Sequence, residues 1–505
     1  MLEGETMYIL EKLLTIFYTI IFSTILVIVI LTMLSWSAYM AGILPLLTAL
    51  VFLYLKKNKR FLPSRTCRYL WYGMSGCSLV LLIWVSFTCK VDFTWDWGKI
   101  ILSSAEYVTT GRLQSPEYYA RYPNNQLCLI CMTGLFQLIQ YLHPTADLEI
   151  FQNVSIVISC LFVWGAINMI YLIGKETWGM RRAVLAGLFS VGCLPLYMYA
   201  QFLYTDTPGL FLLTVLVYLH VMIFREDLFL RRIAYAILAG MIAGITYHVK
   251  VIPFIIFIAM ILAELFHRNH RAREKAAILA SAMLICLGTW YSVGSFSDQV
   301  SSDQFGITAE AKEQWQFPLT HWIMMGLNRE GMGGYHEQDV IYTAYFPSMK
   351  ERKSENIKVI QERMHDFGVD GLLMHIFHRK LPRTWGDSCL AGDNYLSRLP
   401  RDRNNDVVQF MIMDGKHHDY CLVYTWTYYV ILFVGIILSG IMAVKNRQRQ
   451  DVLLMGRIAL LGLTFFEILW ECNSRYLITF IPLLIIMALD GYFRCKEERH
   501  IYPDF

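Results

Sequence analysis

Carboxylates at two places in the chain could act as a general base. Asp92 and Asp96 stand among aromatic residues in VDFTWDWGKIILSSAEYVTTG, and Asp206 stands in LYTDTPGL. A positioned carboxylate can take a proton from an attacking hydroxyl group. Asp96 and Asp206 also stand where an apolar helix begins, so the alternative for each is a structural role as a helix cap.

Two cations interrupt other apolar stretches, and both could bind a phosphate group. Lys250 lies in GITYHVKVIPF, and Arg475 lies in LWECNSRYLITFIP. An ammonium acts as a point charge towards a phosphate oxygen, whereas a guanidinium can hold two oxygens. The structural alternatives are that Lys250 snorkels to the membrane surface and that Arg475 pairs with Glu471, four residues before it.

The cysteines and histidines show no spacing that predicts a metal site. The twelve cysteines are scattered apart from Cys128-x-x-Cys131, which lies in an apolar run and indicates helix packing. The doublet His417-His418 is predicted to be solvated in a loop. The sequence thus assigns no cofactor and no metal ligand, and it leaves a need for a divalent metal open.

The composition shows what environment surrounds these residues. Hydrophobic residues make up 56% of the 505-residue chain and charged residues 17%, whereas about 25% charged is usual for soluble proteins. A soluble protein is therefore excluded. Apolar stretches of spanning length, about 18 to 25 residues, predict an all-α polytopic membrane protein with about twelve transmembrane helices. They are 13–33, 38–55, 69–90, 148–173, 181–200, 206–224, 233–247, 250–267, 276–295, 423–444, 452–470 and 476–493.

Basic residues predict the orientation of these spans. Lys and Arg cluster at every second connection, which the positive-inside rule assigns to the cytoplasm. Both termini are then cytoplasmic, 13–33 is a retained span, and the loops 91–147 and 296–420 face outward. The second loop has 14 Lys+Arg and 18 Asp+Glu, a net charge of −4, although the whole chain is +4.

Four parts follow from this topology. Residues 1–68 form a helical hairpin and a basic loop, and 69–295 form a transmembrane core. Residues 296–422 form an extracytoplasmic loop subdomain, and 423–505 form the C-terminal helices and a tail. Apolar periodicity also predicts two helices along the membrane surface in the first long loop, at 97–111 and 125–142.

Short motifs occur in a fixed order on the outward side of the chain. Asp96 is followed by a helix containing Ala105 and then by Gly111. The remaining motifs are Tyr122-Pro123-Asn124-Asn125, Tyr204-Thr205-Asp206, the series Gly240, Gly244 and Lys250, and Arg475-Tyr476-Leu477 with Pro482. This order resembles the GT-C glycosyltransferases, in the branch of protein O-mannosyltransferases and aminoarabinose transferases. The resemblance covers most of residues 69–493.

The resemblance implies a GT-C-like fold and transfer of a sugar from a polyprenyl-phosphate donor to an extracytoplasmic acceptor. Asp96 would be the catalytic base, and Asp206 would orient the acceptor or support Asp96. The branch usually has Asp-Glu at the catalytic position, where this chain has Asp96-Trp97. Asp92 therefore stays a second candidate for the base.

The same resemblance assigns the donor and its surroundings. Lys250 and Arg475 would hold the donor phosphate, and a lipid-linked sugar fits the absence of a Gly-rich nucleotide-binding motif. Positioning of the acceptor or donor is assigned to Tyr122, Asn124, Asn125 and Glu471.

Two other classes of membrane protein stay open. A cell-surface polysaccharide polymerase or ligase would bind its pyrophosphate donor with loop arginines, here Arg379, Arg383, Arg398, Arg401 and Arg403. A lipid-linked saccharide flippase would place charges inside its spans, which most ionisable residues here avoid. Each alternative implies a plasma-membrane protein whose partners are lipids and a glycan, lipid or protein acceptor, without nucleic acid.

Overall fold

The computed structural model describes residues 2–36, 63–267, 270–445 and 452–501. These residues form helices and no sheet, which confirms the all-α architecture, and one isolated bridge joins Val91 to Pro400. The helices are α1 Leu2–Trp36, α2 Ser64–Thr88, α3 Trp95–Thr110, α4 Pro116–Arg121, α5 Gln126–Leu142, α6 Leu148–Trp178, α7 Met180–Val191, α8 Leu194–Tyr199, α9 Asp206–Arg225, α10 Phe229–Val249, α11 Ile255–Phe266, α12 Ala272–Phe305, α13 Ala309–Trp315, α14 Leu319–Gly326, α15 Glu337–Tyr345, α16 Met349–His375, α17 Leu381–Trp385, α18 Gly392–Ser397, α19 Asp406–Met411, α20 His418–Lys445, α21 Leu454–Leu469 and α22 Ile481–Ile501.

Eight helical segments in the described part of the chain are long and apolar enough to cross a membrane. Each corresponds to a span predicted from the sequence. They are Thr6–Trp36, Ser64–Thr88, Leu148–Trp178, Asp206–Arg225, Phe229–Val249, Ala272–Phe305, His418–Lys445 and Ser474–Lys496.

The other four predicted spans do not form single helices of this length among the described residues. The segment 38–55 lies outside the described residues. The segment 181–200 is divided into α7 and α8, because the backbone turns at Gly192 and Pro195 lacks an amide hydrogen for a continuous helix. The segment 250–267 contains a single 3-10 turn followed by α11, and α21 has only 16 residues.

The last span forms the centre of the helix bundle. In the most apolar stretch of Ser474–Lys496, 94% of the residues are buried within the protein, whereas 17% are buried in the corresponding stretch of α12. The exposed side chains of α12 are largely apolar, which suits contact with lipid chains rather than water. Arg475 stands at the N-terminal end of the central span, so the fold places this cation among several helix ends.

Two glycines allow α10 and α12 to approach closely. A Cβ atom on Gly240 would lie 2.2 Å from the carbonyl oxygen of Ala282, and one on Gly244 would lie 2.7 Å from Cβ of Thr289. Small residues four apart are a common way for membrane helices to bring their backbones together. This contact fixes the orientation of α10, and thereby the position of Lys250, which directly follows the helix.

We expect Gly240→Val to lower the stability of the protein by about 1–3 kcal/mol or more, because the new side chain must push a backbone carbonyl of α12 aside. Gly288→Val is the matched control, since a Cβ at Gly288 meets no atom within 4 Å. Thermal unfolding of the detergent-solubilised protein measures both changes. Equal melting temperatures for the two variants would contradict this account of the helix contact.

The two helices predicted in the first long loop are present as α3 and α5. Gly111 ends α3 in the left-handed conformation, with φ of 70°, a common way for a helix to stop. The segment around residue 400 is fastened beside the start of α3. There, the Asp92 amide donates to the Leu399 carbonyl at 2.9 Å, and the Arg401 amide donates to the Lys90 carbonyl at 3.0 Å. These bonds fix α18 next to the N-terminus of α3.

The large segment predicted to be a loop is mostly helical. It contains α13 to α19, and α12 continues to Phe305, past the predicted end of a span at residue 295. The chain returns from α14 through a Gly-rich turn, where the Cys472 amide donates to the Gly333 carbonyl at 2.8 Å. This contact packs the segment against the residues that precede Arg475.

Candidate active site

Asp206, Lys250 and Arg475 meet in one buried ion cluster. Asp206 begins α9, Lys250 follows α10, and Arg475 lies in the 3-10 turn that begins the central span. The Asp206 carboxylate accepts hydrogen bonds from the Lys250 ammonium and from Arg475, at 3.0 Å from Nε and 2.7 Å from Nη2. The side chain of Asp206 is 0% exposed, and those of Lys250 and Arg475 are 9% and 11% exposed.

These contacts exclude the structural alternatives for all three residues. The Asp206 carboxylate binds side-chain cations and does not cap its helix. Lys250 points into the protein and does not snorkel, because its ammonium is bound to Asp206. The Arg475 guanidinium bonds to Asp206 and, at 3.4 Å, to the Tyr395 hydroxyl, and it forms no ion pair with Glu471 among the described residues, so the alternative of a Glu471–Arg475 pair is wrong.

Two cations on one carboxylate leave a surplus of one positive charge. A buried charge is unfavourable unless it is paired, and hydrogen bonds from a cation to an anionic oxygen are stronger than neutral ones. Asp206 accepts from two nitrogens of Arg475, whereas a guanidinium carries five N–H donors. The net positive charge of these three side chains and the guanidinium donors that Asp206 does not use are features that favour binding of an anion.

Aromatic rings surround the guanidinium of Arg475. Its central carbon lies 4.3 Å from the ring centroid of Trp95, 5.0 Å from that of Tyr204 and 5.3 Å from that of Tyr395. Contacts between a guanidinium and aromatic faces are favourable and orient its plane. Tyr395 comes from α18, so the large segment contributes directly to the site.

Trp95 holds this arrangement at the cost of backbone strain. It starts α3 with φ of 45°, in the left-handed region that bulky residues rarely adopt. Such a conformation costs about 1–3 kcal/mol and persists only where packing determines it. The Trp95 ring packs at 4.7 Å on Tyr395, 5.2 Å on Tyr204 and 5.5 Å on Phe202. The strained turn directs the Trp95 ring at Arg475, and the next residue in the chain is Asp96.

Asp96 is joined to Tyr204 by a chain of hydrogen bonds, and the Tyr204 ring contacts Arg475 of the ion cluster. The Tyr118 hydroxyl donates to the Asp96 carboxylate at 2.6 Å, and Asn125 Nδ2 donates to the Tyr118 oxygen at 3.0 Å. The Tyr204 hydroxyl donates to Asn125 Oδ1 at 2.8 Å. Burial and the Asp96 charge raise the pKa of Tyr118 well above its usual value, so its phenol stays a donor.

The alternative role of Asp96 as a helix cap is wrong. Thr94 is the N-cap residue of α3, and no side-chain hydrogen bond caps this helix. Asp96 stands in the first helical turn with its carboxylate held by Tyr118. The side chain is thus fixed by a group that leaves a carboxylate oxygen able to accept a proton.

Asp92 lies in a different environment. Its carboxylate accepts from Arg401 Nε at 2.8 Å, and Arg401 also binds Glu149 at 2.6 Å and Gln152 at 2.6 Å. The Asp92 side chain is 55% exposed. The structure therefore places Asp92 at the junction between two loop segments. Asp96, in contrast, is linked through neighbouring side chains to the cluster of Asp206, Lys250 and Arg475.

Three of the four residues predicted to position substrate are connected to Tyr118, which holds Asp96: these are Tyr122, Asn124 and Asn125. Asn124 donates to Asn125 Oδ1 at 3.1 Å, and the Tyr122 ring packs 5.2 Å from Tyr118. Glu471 is 4% exposed. Burial raises the pKa of Glu471 to about 7, with the Asp96 charge adding to the effect and Arg383 and Arg475 opposing it. A carboxyl with a pKa near 7 can donate or accept a proton at neutral pH.

Three contributors to the site have no clear sequence signal. Tyr118 and Tyr395 are single aromatic residues in segments of mixed composition. Lys380 is 1% exposed and donates to the carbonyls of Gly326 and Trp470, at 2.9 and 2.6 Å. It thereby supports the turn that carries Glu471. Only contacts between distant segments identify these residues.

The predicted solvated histidine doublet needs a correction. His418 is 5% exposed, and its Nε2 lies 3.0 Å from a carboxylate oxygen of Asp393. The adjacent His417 is partly exposed. His418 begins α20, and its side chain contacts Asp393 in α18. The His417 side chain faces outward.

Comparison with known proteins gives one family and several similar structures. A family model described as "Conserved hypothetical integral membrane protein" matches residues 6–492. The comparison with curated proteins finds no match. The chain is similar to the archaeal oligosaccharyltransferase AglB from Archaeoglobus fulgidus, solved with an inhibitory peptide and a dolichol-phosphate. The identity is 14%, the TM-score is 0.42, and the match covers 85% of this chain and 51% of that chain.

It is also similar to ArnT from Cupriavidus metallidurans bound to undecaprenyl phosphate, with 11% identity, a TM-score of 0.34, and coverage of 84% of this chain and 77% of that chain. The chain spans about half the length of the oligosaccharyltransferase. The family match extends over nearly all of the chain, including every candidate site residue. The chain therefore belongs to the family of conserved hypothetical integral membrane proteins.

Proposed function

We propose that the protein is a GT-C-type glycosyltransferase that moves a sugar from a polyprenyl-phosphate donor to an acceptor outside the cytoplasm. The observation that carries the proposal is the ion cluster, in which Lys250 and Arg475 share the single carboxylate of Asp206. It lies at helix ends, where the phosphate of a lipid must lie when its tail stays in the bilayer. The motifs that resemble the GT-C superfamily contain the same residues.

In the proposed reaction, Asp96 takes the proton of the acceptor hydroxyl as its oxygen bonds to the anomeric carbon of the sugar. The bond between that carbon and the donor phosphate oxygen breaks, and the polyprenyl phosphate leaves with the electron pair. Arg475 and Lys250 stabilise the charge that develops on the phosphate. Asp206 keeps both cations in place, and Asn125, linked to Asp96 through Tyr118, orients the acceptor side.

We place this site on the extracytoplasmic face, because the basic clusters lie at the opposite connections. A cysteine introduced at Lys353 is expected to react with a membrane-impermeant maleimide in intact cells. One introduced at Arg273 is expected to react only after permeabilisation. The reverse pattern would put the site in the cytoplasm and contradict transfer to an acceptor outside it.

Binding of the donor phosphate can be measured without knowing the sugar. We expect Arg475→Lys to weaken binding of undecaprenyl phosphate to the purified protein about tenfold or more. Lysine keeps the charge, but the variant loses a charge-assisted hydrogen bond, which contributes about 1.5–3 kcal/mol. Lys250→Arg should be milder, because the ammonium acts as a point charge.

Arg403→Gln is the matched control, because Arg403 is 52% exposed and pairs with Asp414 away from the cluster. It is also among the loop arginines that a polysaccharide polymerase would use for a pyrophosphate donor. Unchanged lipid affinity in Arg475→Lys together with a loss in Arg403→Gln would favour the polymerase and reject the present assignment.

A further inference from the structure

Four buried side chains with metal-binding atoms meet beside the candidate active site. Cys389, His418 and Cys421 each offer a ligand atom, and these atoms all lie within 4.8 Å of one another. The Asp393 carboxylate lies 3.0 Å from His418 Nε2 and within 4.8 Å of the Cys389 sulfur. The exposed fractions are 0% for both cysteines, 5% for His418 and 7% for Asp393.

We propose that Cys389, His418, Cys421 and Asp393 bind a structural zinc ion. Zinc takes four ligands in a tetrahedron, with bonds of about 2.3 Å to sulfur and 2.0–2.2 Å to nitrogen and oxygen, so ligand atoms lie roughly 3.3–3.8 Å apart. The side chains here are already gathered near that spacing. Two sulfurs, one imidazole and one carboxylate form a set that zinc accepts and that Ca²⁺ and Mg²⁺ do not favour.

The local backbone is arranged to bring these side chains together. His418 and Cys421 are three residues apart in the first turn of α20, so they lie on one face of that helix. Cys389 and Asp393 are joined through Leu390 and Ala391, which have φ of 53° and 59°. Consecutive non-glycine residues in the left-handed region store strain, which is typical of sites where the surrounding structure fixes a required geometry.

The second layer of contacts supports the same conclusion. Asp387 accepts from the amides of Cys389 and Ala391, at 3.0 and 2.7 Å, and from the Ser474 hydroxyl at 2.7 Å. Hydrogen bonds of this kind orient the ligands of metal sites.

The zinc would have a mechanical role in the protein. It would join α20 to the segment 386–393. This segment runs into α18, the helix that carries Tyr395. Tyr395 lies against Trp95 at 4.7 Å and against the Arg475 guanidinium at 5.3 Å. Because Ser474 also contacts Asp387, the metal-bound turn would fix both sides of the Arg475 environment. The zinc site is independent of the sugar-transfer proposal.

Metal analysis of the full chain purified in detergent tests the site. We expect about one zinc per chain, lost in Cys389→Ser and in Cys421→Ser. Cys131→Ser is the control, because Cys131 is an exposed cysteine on α5, and it should keep the metal. Removal of zinc by a chelator should lower the melting temperature of the wild type, and added Zn²⁺ should restore it. This last measurement remains decisive if the serine variants fail to fold.

Cobalt gives an independent test of the ligands. Co²⁺ added to the chelated wild type should show a thiolate-to-cobalt charge-transfer band, which His418→Gln should weaken or shift and Cys131→Ser should leave unchanged. Two results would overturn the proposal. One is a wild-type protein with free thiols that binds neither zinc nor cobalt. The other is a Cys389–Cys421 disulfide found by mass spectrometry after thiols are alkylated in intact membranes.

Discussion

Replacement of Asp206 with Asn is expected to lower the free energy of unfolding by about 3–5 kcal/mol, the largest loss of stability for any single residue of the site. The change leaves Lys250 and Arg475 as two buried cations without a carboxylate between them, and breaking a buried ion pair on one side has this magnitude. Equilibrium unfolding of the purified protein in mixed micelles measures the effect. Undecaprenyl phosphate should partly restore stability, because its anion can replace the lost charge.

Asp92→Asn is the control for this experiment. Asp92 also pairs with an arginine, but its side chain is 55% exposed, and exposed pairs contribute about 0–1 kcal/mol. The double variant Asp206→Asn/Lys250→Met should lose less stability than the sum of the two single variants, because it removes one of the unpaired cations. Equal stability of Asp206→Asn and Asp92→Asn would show that the buried cluster is not what holds these helix ends together.

Asp96→Asn is expected to reduce sugar transfer by about 10²–10⁴-fold while leaving the folded protein intact. The amide keeps an oxygen that accepts from Tyr118, but it cannot take a proton from the acceptor at neutral pH. Transfer can be followed with the reconstituted protein and radiolabelled lipid-linked sugars extracted from membranes. Undecaprenyl-phosphate binding should stay close to normal, which separates a lost base from a lost donor site.

Two matched variants make this prediction specific. Asp92→Asn should keep most of the transfer rate, because Asp92 is bound to Arg401 away from the cluster. Tyr118→Phe should have an intermediate effect, since it removes the hydrogen bond that holds Asp96. If Asp96→Asn transfers sugar normally and Asp92→Asn does not, the base is Asp92. If only Glu471→Gln is inactive, the carboxyl whose pKa is raised to about 7 is the base instead.

Hydrophobicity alone predicts much of this architecture. Eight of the predicted spans appear as long apolar helices, because a stretch of about 20 apolar residues has few stable alternatives to a helix in a membrane. Predictions fail where a local break competes with hydrophobicity. Pro195 divides one predicted span, and the polar segment after α12, which is predicted as a loop subdomain, is mostly helical.

The site was predictable as separate residues and not as an assembly. Asp206, Lys250 and Arg475 each interrupt an apolar stretch, which is unusual enough to identify them from sequence. Their contact depends on how helices pack, and no spacing along the chain relates residue 206 to residue 475. The same limit explains why the sequence leaves caps at Asp96 and Asp206 and a pair between Glu471 and Arg475 open as alternatives, and why the expectation of a solvated His418 is wrong.

The bonds made by Arg401 have a consequence for the evolution of the chain. This residue binds Asp92 and Glu149, and Glu149 also binds Lys90, so charges from three separate segments balance one another. Loss of the charge at one position leaves an excess charge at the others, and a second substitution can remove it. In related sequences, positions 90, 92, 149 and 401 are therefore expected to covary, and to be inherited as a set when loop segments are exchanged between relatives.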